Sequence, residues 1–160
     1  MNRRCLILCV LVWLAFGSAG CGSEFTRGRG PGGSRVTPSQ AWTVTGDLSH
    51  PEYMADDRDA TVAISDGTYR GAEVIVDFSK PCLLNLIVMR HGSAHEMGFP
   101  RRVAVATSMD GENWNHVMVA LGTRRVTVVP LVTPTLARYI RLRALEEGGE
   151  PWAVAELIVQ

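Results

Sequence analysis

Two loops of this chain carry side chains that could do chemistry. His91, His95 and Glu96 place two imidazoles beside a carboxylate, and the His-x-x-x-His spacing would set both rings on one face of a helix. Gly92 and Gly98 work against a helix there, and the His-Glu-x-x-His pattern of zinc peptidases is absent, so zinc hydrolysis is not expected. A broader set of loop residues, His50, Glu52, Tyr53, His91, His95, Glu96, Phe99, Arg101 and Trp152, mixes aromatic rings with donors and acceptors. A sugar site needs that mixture: an aromatic platform for the apolar face of the ring and convergent polar groups for its hydroxyls. Each of these side chains has an alternative use as a solvated loop residue or a packing aromatic, and Trp152 could cap the core. Ser93 and Ser108 have no nucleophile elbow around them and no ordered base. Cys82 opens an apolar run, which reads as a buried, inert thiol. No glycine-rich loop leads into a helix that could cradle phosphate. A non-catalytic binding protein is therefore expected.

One further carboxylate is set apart by its position. Glu156 sits inside Ala153–Val159, where Ala153, Ala155, Leu157 and Val159 share one side of an extended chain and Val154, Glu156 and Ile158 the other. A carboxylate in such a strand needs a partner or an ion. Loop amides or Arg58 could supply the partner.

The elements that must position these residues are strands. Ala41–Thr45, Glu73–Phe78, Leu83–Arg90, Arg102–Ser108, Trp114–Ala120, Arg124–Val129, Tyr139–Ala144 and Ala153–Val159 are alternating or continuously apolar and rich in β-branched or aromatic types. Lys80-Pro81 is expected to break the chain between the second and third. Gly46–Asp59 reads as a long polar loop, Ile64–Gly71 as turn-rich, and Asp110-Gly111 as a tight hairpin turn. Eight strands with no long helix predict an all-β fold, an eight-stranded antiparallel jelly-roll sandwich.

Basic and acidic residues balance at 16 each over the 160 residues, but from Ala41 onward there are 11 basic and 15 acidic side chains, a net charge of −4. A mildly acidic domain without a basic, aromatic-interleaved stripe argues against nucleic acid and anionic lipid as ligands. The N-terminus has a different character. Asn2-Arg3-Arg4 is a short basic region, Cys5 to Phe16 is apolar but too short to span a bilayer comfortably, and Gly17-Ser18-Ala19-Gly20 are small. Gly20-Cys21 after such a run resembles the lipobox of bacterial lipoproteins. The resemblance implies a signal peptide over residues 1–20, a lipidated Cys21, and a cell-envelope location, with the outer membrane favoured where there is one. Residues 21–40, rich in Gly and Pro, read as a flexible tether, and 41–160 as the folded domain.

Four segments of that domain resemble a known family in its order. Glu73-Val74-Ile75-Val76-Asp77-Phe78-Ser79-Lys80-Pro81, Thr107-Ser108-Met109-Asp110-Gly111-Glu112-Asn113-Trp114, Ala137-Arg138-Tyr139-Ile140-Arg141-Leu142 and Ala153-Val154-Ala155-Glu156-Leu157 are similar to motifs of the discoidin, or coagulation-factor type C, domains, which include the family-32 carbohydrate-binding modules. The resemblance implies a galactose-binding-like jelly roll. It also implies a ligand site on the loops at Leu48–Tyr53 and His91–Arg101, and a structural calcium held by Asp56, Thr61, Glu156 and a backbone carbonyl of Arg58 or Asp59. Three positions depart from the family pattern: Asp57 replaces a Gly, and Ala63 and Glu73 each replace a Trp. The expected partner is a glycan, with docking to an envelope protein as the alternative.

Overall fold

Side-chain alternation decides where the chain extends. The computed structural model describes residues 35–92 and 98–160, which form β1 (Thr43–Gly46), β2 (Leu48–Ser49), β3 (Ala63–Ser65), β4 (Glu73–Arg90), β5 (Arg102–Ser108), β6 (Asn115–Leu121), β7 (Val126–Glu146), β8 (Ala153–Val154) and β9 (Glu156–Val159). All named pairings are antiparallel. The larger sheet runs β1-β4-β7-β5-β6, with β9 also paired to β4, and the smaller sheet runs β2-β3-β8. The expected fold class is therefore present. Its strands are divided differently.

Lys80-Pro81 does not end a strand. β4 continues through it, paired with β7 on both sides, from Glu73↔Arg143 to Asp77↔Tyr139 and from Cys82↔Ala137 to Arg90↔Val126. The ladder shifts register between Asp77 and Cys82, and Ser79 there has φ +67°. Pro81 is tolerated because a bulge needs no ladder N–H from it. Asp77 pins the bulge: its carboxylate accepts the Ser79 amide at 2.7 Å and both arms of the Arg138 guanidinium at 2.9 Å. That guanidinium, more than the amide, holds the Asp77 carboxyl below its usual range. A second shift between Leu84 and Leu86 lets β7 carry Leu131–Pro134 as extra residues, so Arg124–Val129 and Tyr139–Ala144 also belong largely to one strand.

One cluster forms the core. Val74, Val76, Phe78, Leu84, Ile87 and Met89 point into it from β4, Ile140 and Leu142 from β7, and Leu157 from β9. Each fully buried aliphatic side chain contributes roughly 1.5–3 kcal/mol. The Gly46–Asp59 stretch is more ordered than a polar loop. It holds β2 and a 3-10 helix, Pro51–Ala55, that buries Met54 and Ala55 and packs against β1, β3 and β9. His50 turns the chain into that helix with φ +55°, and Pro51 occupies its first turn, where no N–H is required.

Candidate functional site

The 3-10 helix gathers three of the expected ligand residues on the surface. The rings of His50 and Tyr53 stack at 4.9 Å and 17°, and His50 Nδ1 lies 3.2 Å from Glu52 Oε1. Both His50 and Glu52 are more than half exposed. The Glu52 carboxyl is held below its usual range, first by a backbone amide and then by the His50 ring. Within four residues the surface therefore carries an exposed imidazole and carboxylate, with the half-buried Tyr53 ring stacked on the imidazole.

His91 and Trp152 belong to the core and not to a ligand mouth. His91 is fully buried, with Nδ1 2.8 Å from the Ala153 carbonyl oxygen and Nε2 2.8 Å from Thr127 Oγ1. A carbonyl only accepts, so Nδ1 carries the proton and Nε2 accepts from the Thr127 hydroxyl. Burial pushes the His91 pKa down, which keeps the ring neutral. Trp152 is also fully buried, 6.4 Å from the Tyr69 ring, and its backbone amide donates to Ser65 Oγ at 2.9 Å. Enclosure on all sides explains both corrections: neither side chain offers a face to a ligand. Phe99 packs half-buried at 6.0 Å from His91, and Arg101 is exposed with Glu146 at 3.9 Å. His95 and Glu96 lie outside the described residues, as do Cys21 and Ser93. The Arg141 guanidinium lies over the half-buried Trp114 ring at 4.5 Å. Cys82 is buried, as expected.

The partner of Glu156 is Arg90, not Arg58. Arg90 and Glu156 face each other in the β4–β9 register, and Nη1 lies 2.8 Å from Glu156 Oε2 and 2.8 Å from Asp59 Oδ1. One guanidinium thus joins the acidic loop to the last strand. Asp57 takes the family's glycine position with φ +57°, which Asp tolerates better than most residues, and its carboxylate accepts from Ser39 Oγ and Gln40 Nε2.

The acidic loop was also expected to hold calcium, and part of the donor set converges. Thr61 Oγ1 lies 2.9 and 2.8 Å from the two Asp56 carboxylate oxygens and 2.9 Å from the Arg58 carbonyl. Such hard oxygens suit calcium. Among the described residues no group of three or more His, Cys, Asp or Glu side chains could hold a metal ion, so hydroxyl and carbonyl donors would have to contribute.

Two features had no counterpart in the residue pattern. Arg90 ends an apolar run, and only strand pairing reveals what it faces. A shallow cleft of ≈ 250 Å³ between Asp47 and the turn Ser65–Ala72, walled by Tyr69, joins residues that no motif marks.

The A-R-Y-I-R-L segment lies in β7 and the A-E-L segment runs into β9, and both strands pair with β4. The chain belongs to the F5/8 type C domain family, whose model matches residues 35–157. Its fold is shared with family 32 carbohydrate-binding modules. The module CpGH89CBM32-5 from Clostridium perfringens, solved in complex with GalNAc-beta-1,3-galactose, is similar at a TM-score of 0.70 and 17% identity, over 79% of this chain and 99% of that one. The family 32 module of NanJ from C. perfringens, solved with galactose, gives 0.68 and 17%, over 76% and 95%. A chitosan-binding module from Paenibacillus sp. IK-5 gives 0.65 and 14%, over 80% and 98%. No curated protein matches the sequence significantly.

Proposed function

We infer that this is a non-catalytic, envelope-anchored carbohydrate-binding protein, with its sugar site on the surface of the 3-10 helix. The observation that carries this reading is the exposed His50 ring stacked on the half-buried Tyr53 ring beside exposed Glu52, on the fold of a sugar-binding module. The stack supplies the apolar platform, and His50 and Glu52 supply a donor and an acceptor for hydroxyls. A glycan-array screen of the purified chain tests it: binding to a defined class of sugar is expected, and a folded protein that binds none would overturn it. Anchoring rests on the sequence around Cys21. Cys21→Ser is expected to move the protein from the membrane to the soluble fraction, and retention in the membrane would remove the anchor.

In the same reading the acidic loop holds a structural calcium through Asp56, Thr61 and the Arg58 or Asp59 carbonyl, with Glu156 contributing from the last strand. The convergence of Asp56, Thr61 and the Arg58 carbonyl supports it. When bound, the ion would tie the loop to the sheet and take no part in chemistry.

A second reading, docking to an envelope protein, is favoured by one observation. Val126, Val128 and Val132 stand exposed along the first half of β7, and Leu136 further on. Co-purification of a stoichiometric envelope protein that is lost on Val128→Lys would support that reading over the sugar site.

A further inference from the structure

One corner of the domain has a charge opposite to the whole. Arg101 and Arg102 lead into β5, and Arg124 and Arg125 lie in the turn between β6 and β7. All four are exposed. The backbone ties the first pair to the start of the turn that carries the second. The Gly122 amide donates to the Arg101 carbonyl at 2.9 Å, and Arg102 pairs with Leu121 at the end of the β5–β6 ladder. A Cβ on Gly122 would lie 1.8 Å from the Pro100 carbonyl oxygen, so only glycine permits this approach. The carboxylate of Glu146, 3.9 Å from Arg101, is the one ion-pair partner of these arginines among the described residues.

The turn that carries Arg124 and Arg125 rests on the buried histidine. The His91 amide donates to the Arg125 carbonyl at 2.9 Å. The His91 ring holds the Thr127 hydroxyl, and Thr127 Oγ1 in turn accepts the Thr123 amide at 3.0 Å. Buried polar groups persist only when their bonds are satisfied. Here the satisfied network fixes the backbone of a surface turn, which lowers the ordering cost when its side chains engage a ligand.

We propose that this arginine corner binds the carboxylate or sulfate groups of an anionic polysaccharide. The inference rests on the carbohydrate reading above and gives the ligand its charge. The planar guanidinium groups of four arginines suit fork-shaped recognition of planar carboxylate or of sulfate oxygens. Two pairs on separate, linked turns suit charges repeated along a polymer.

The test is affinity electrophoresis of the full chain in gels containing polygalacturonate, dextran sulfate or neutral galactan. Both anionic polymers are expected to retard the protein, less at about 300 mM than at about 50 mM salt. The double variants Arg124→Gln/Arg125→Gln and Arg101→Gln/Arg102→Gln are expected to bind about tenfold more weakly or worse, equivalent to losing at least one charge-assisted bond. Their melting temperatures should match the wild type, since the side chains are exposed. Equal retardation of variants and wild type, or retardation by galactan alone, would overturn the arginine corner and leave the carbohydrate reading standing. Retardation in no gel, with no hit on the glycan array, would sink both. Pelleting with phosphatidylserine vesicles without retardation by any polymer would assign the corner to a membrane and overturn the proposal.

Discussion

His50 and His91 stand in loops of similar composition, yet one faces solvent and the other is sealed in the core. His50 sits at the start of a 3-10 helix with its ring on Tyr53 and its Nδ1 near Glu52. His91 follows β4 and is enclosed between Ala153, Thr127 and Phe99. The difference teaches that a histidine's role here is set by what the sheet brings over it. The exposed ring is free to meet a ligand. The buried ring is a bracket that ties β4, the end of the β6–β7 turn and the last strands together.

Substitution separates the two most sharply. His91→Ala is expected to cost about 3–4 kcal/mol, from a cavity and the loss of two buried hydrogen bonds, one of which leaves the Ala153 carbonyl unsatisfied. His50→Ala should cost less, about 1 kcal/mol or below, since the side chain is exposed and the cost comes mainly from placing alanine at φ +55°. Denaturant melts of both variants check this, and equal losses would erase the contrast. Acid sharpens it further. The folded-state pKa of His91 lies below its ordinary 6.5 because burial penalises the charged ring. The unfolded chain binds the proton that the folded chain refuses, so this contribution is complete above 6.5 and is lost as pH falls toward the folded value. The stability–pH slope below about pH 6.5 should flatten in His91→Ala.

A smaller effect is expected at the second bracket. Arg90→Ala removes the link between Asp59 and Glu156 and should lower the melting temperature by less than His91→Ala does, because the guanidinium is partly exposed. The same experiment weighs the calcium proposal. Calcium is expected to raise the melting temperature of the wild type and chelator to lower it, and Glu156→Gln should abolish the shift. An unchanged curve in all conditions would leave Arg90 as the whole of the link.

The sheet was legible from residue order because alternation acts locally. Val74, Val76 and Phe78 against Ile75 and Asp77, and Ile140 and Leu142 against Tyr139 and Arg141, fall on the faces that period two assigns. The Asp110-Gly111 turn was legible for a similar reason: Asp110 accepts the Glu112 and Asn113 amides of its own turn. What sequence reading missed depends on contacts between distant segments. Pro81 was read as a break because nothing near it signals the bulge that Ser79 and Asp77 create with Arg138. Trp152 and His91 were placed in a mouth because aromatic and polar types in loops look alike whether or not another loop covers them. Arg90 was overlooked because its meaning lies in the residue opposite it, 66 positions along the chain. His50, Glu52 and Tyr53 need no tertiary contact to lie together, because they are near neighbours on one short helix.

The central claim is that the His50–Tyr53 stack, and not the buried aromatics, meets the ligand. The most direct measurement is isothermal titration of wild type and Tyr53→Ala with the glycan that scores highest on the array. About tenfold loss of affinity is expected in a variant that still unfolds cooperatively, the consequence of removing an aromatic platform worth about 1.4 kcal/mol. Wild-type affinity in Tyr53→Ala would contradict it and place the sugar elsewhere on the fold.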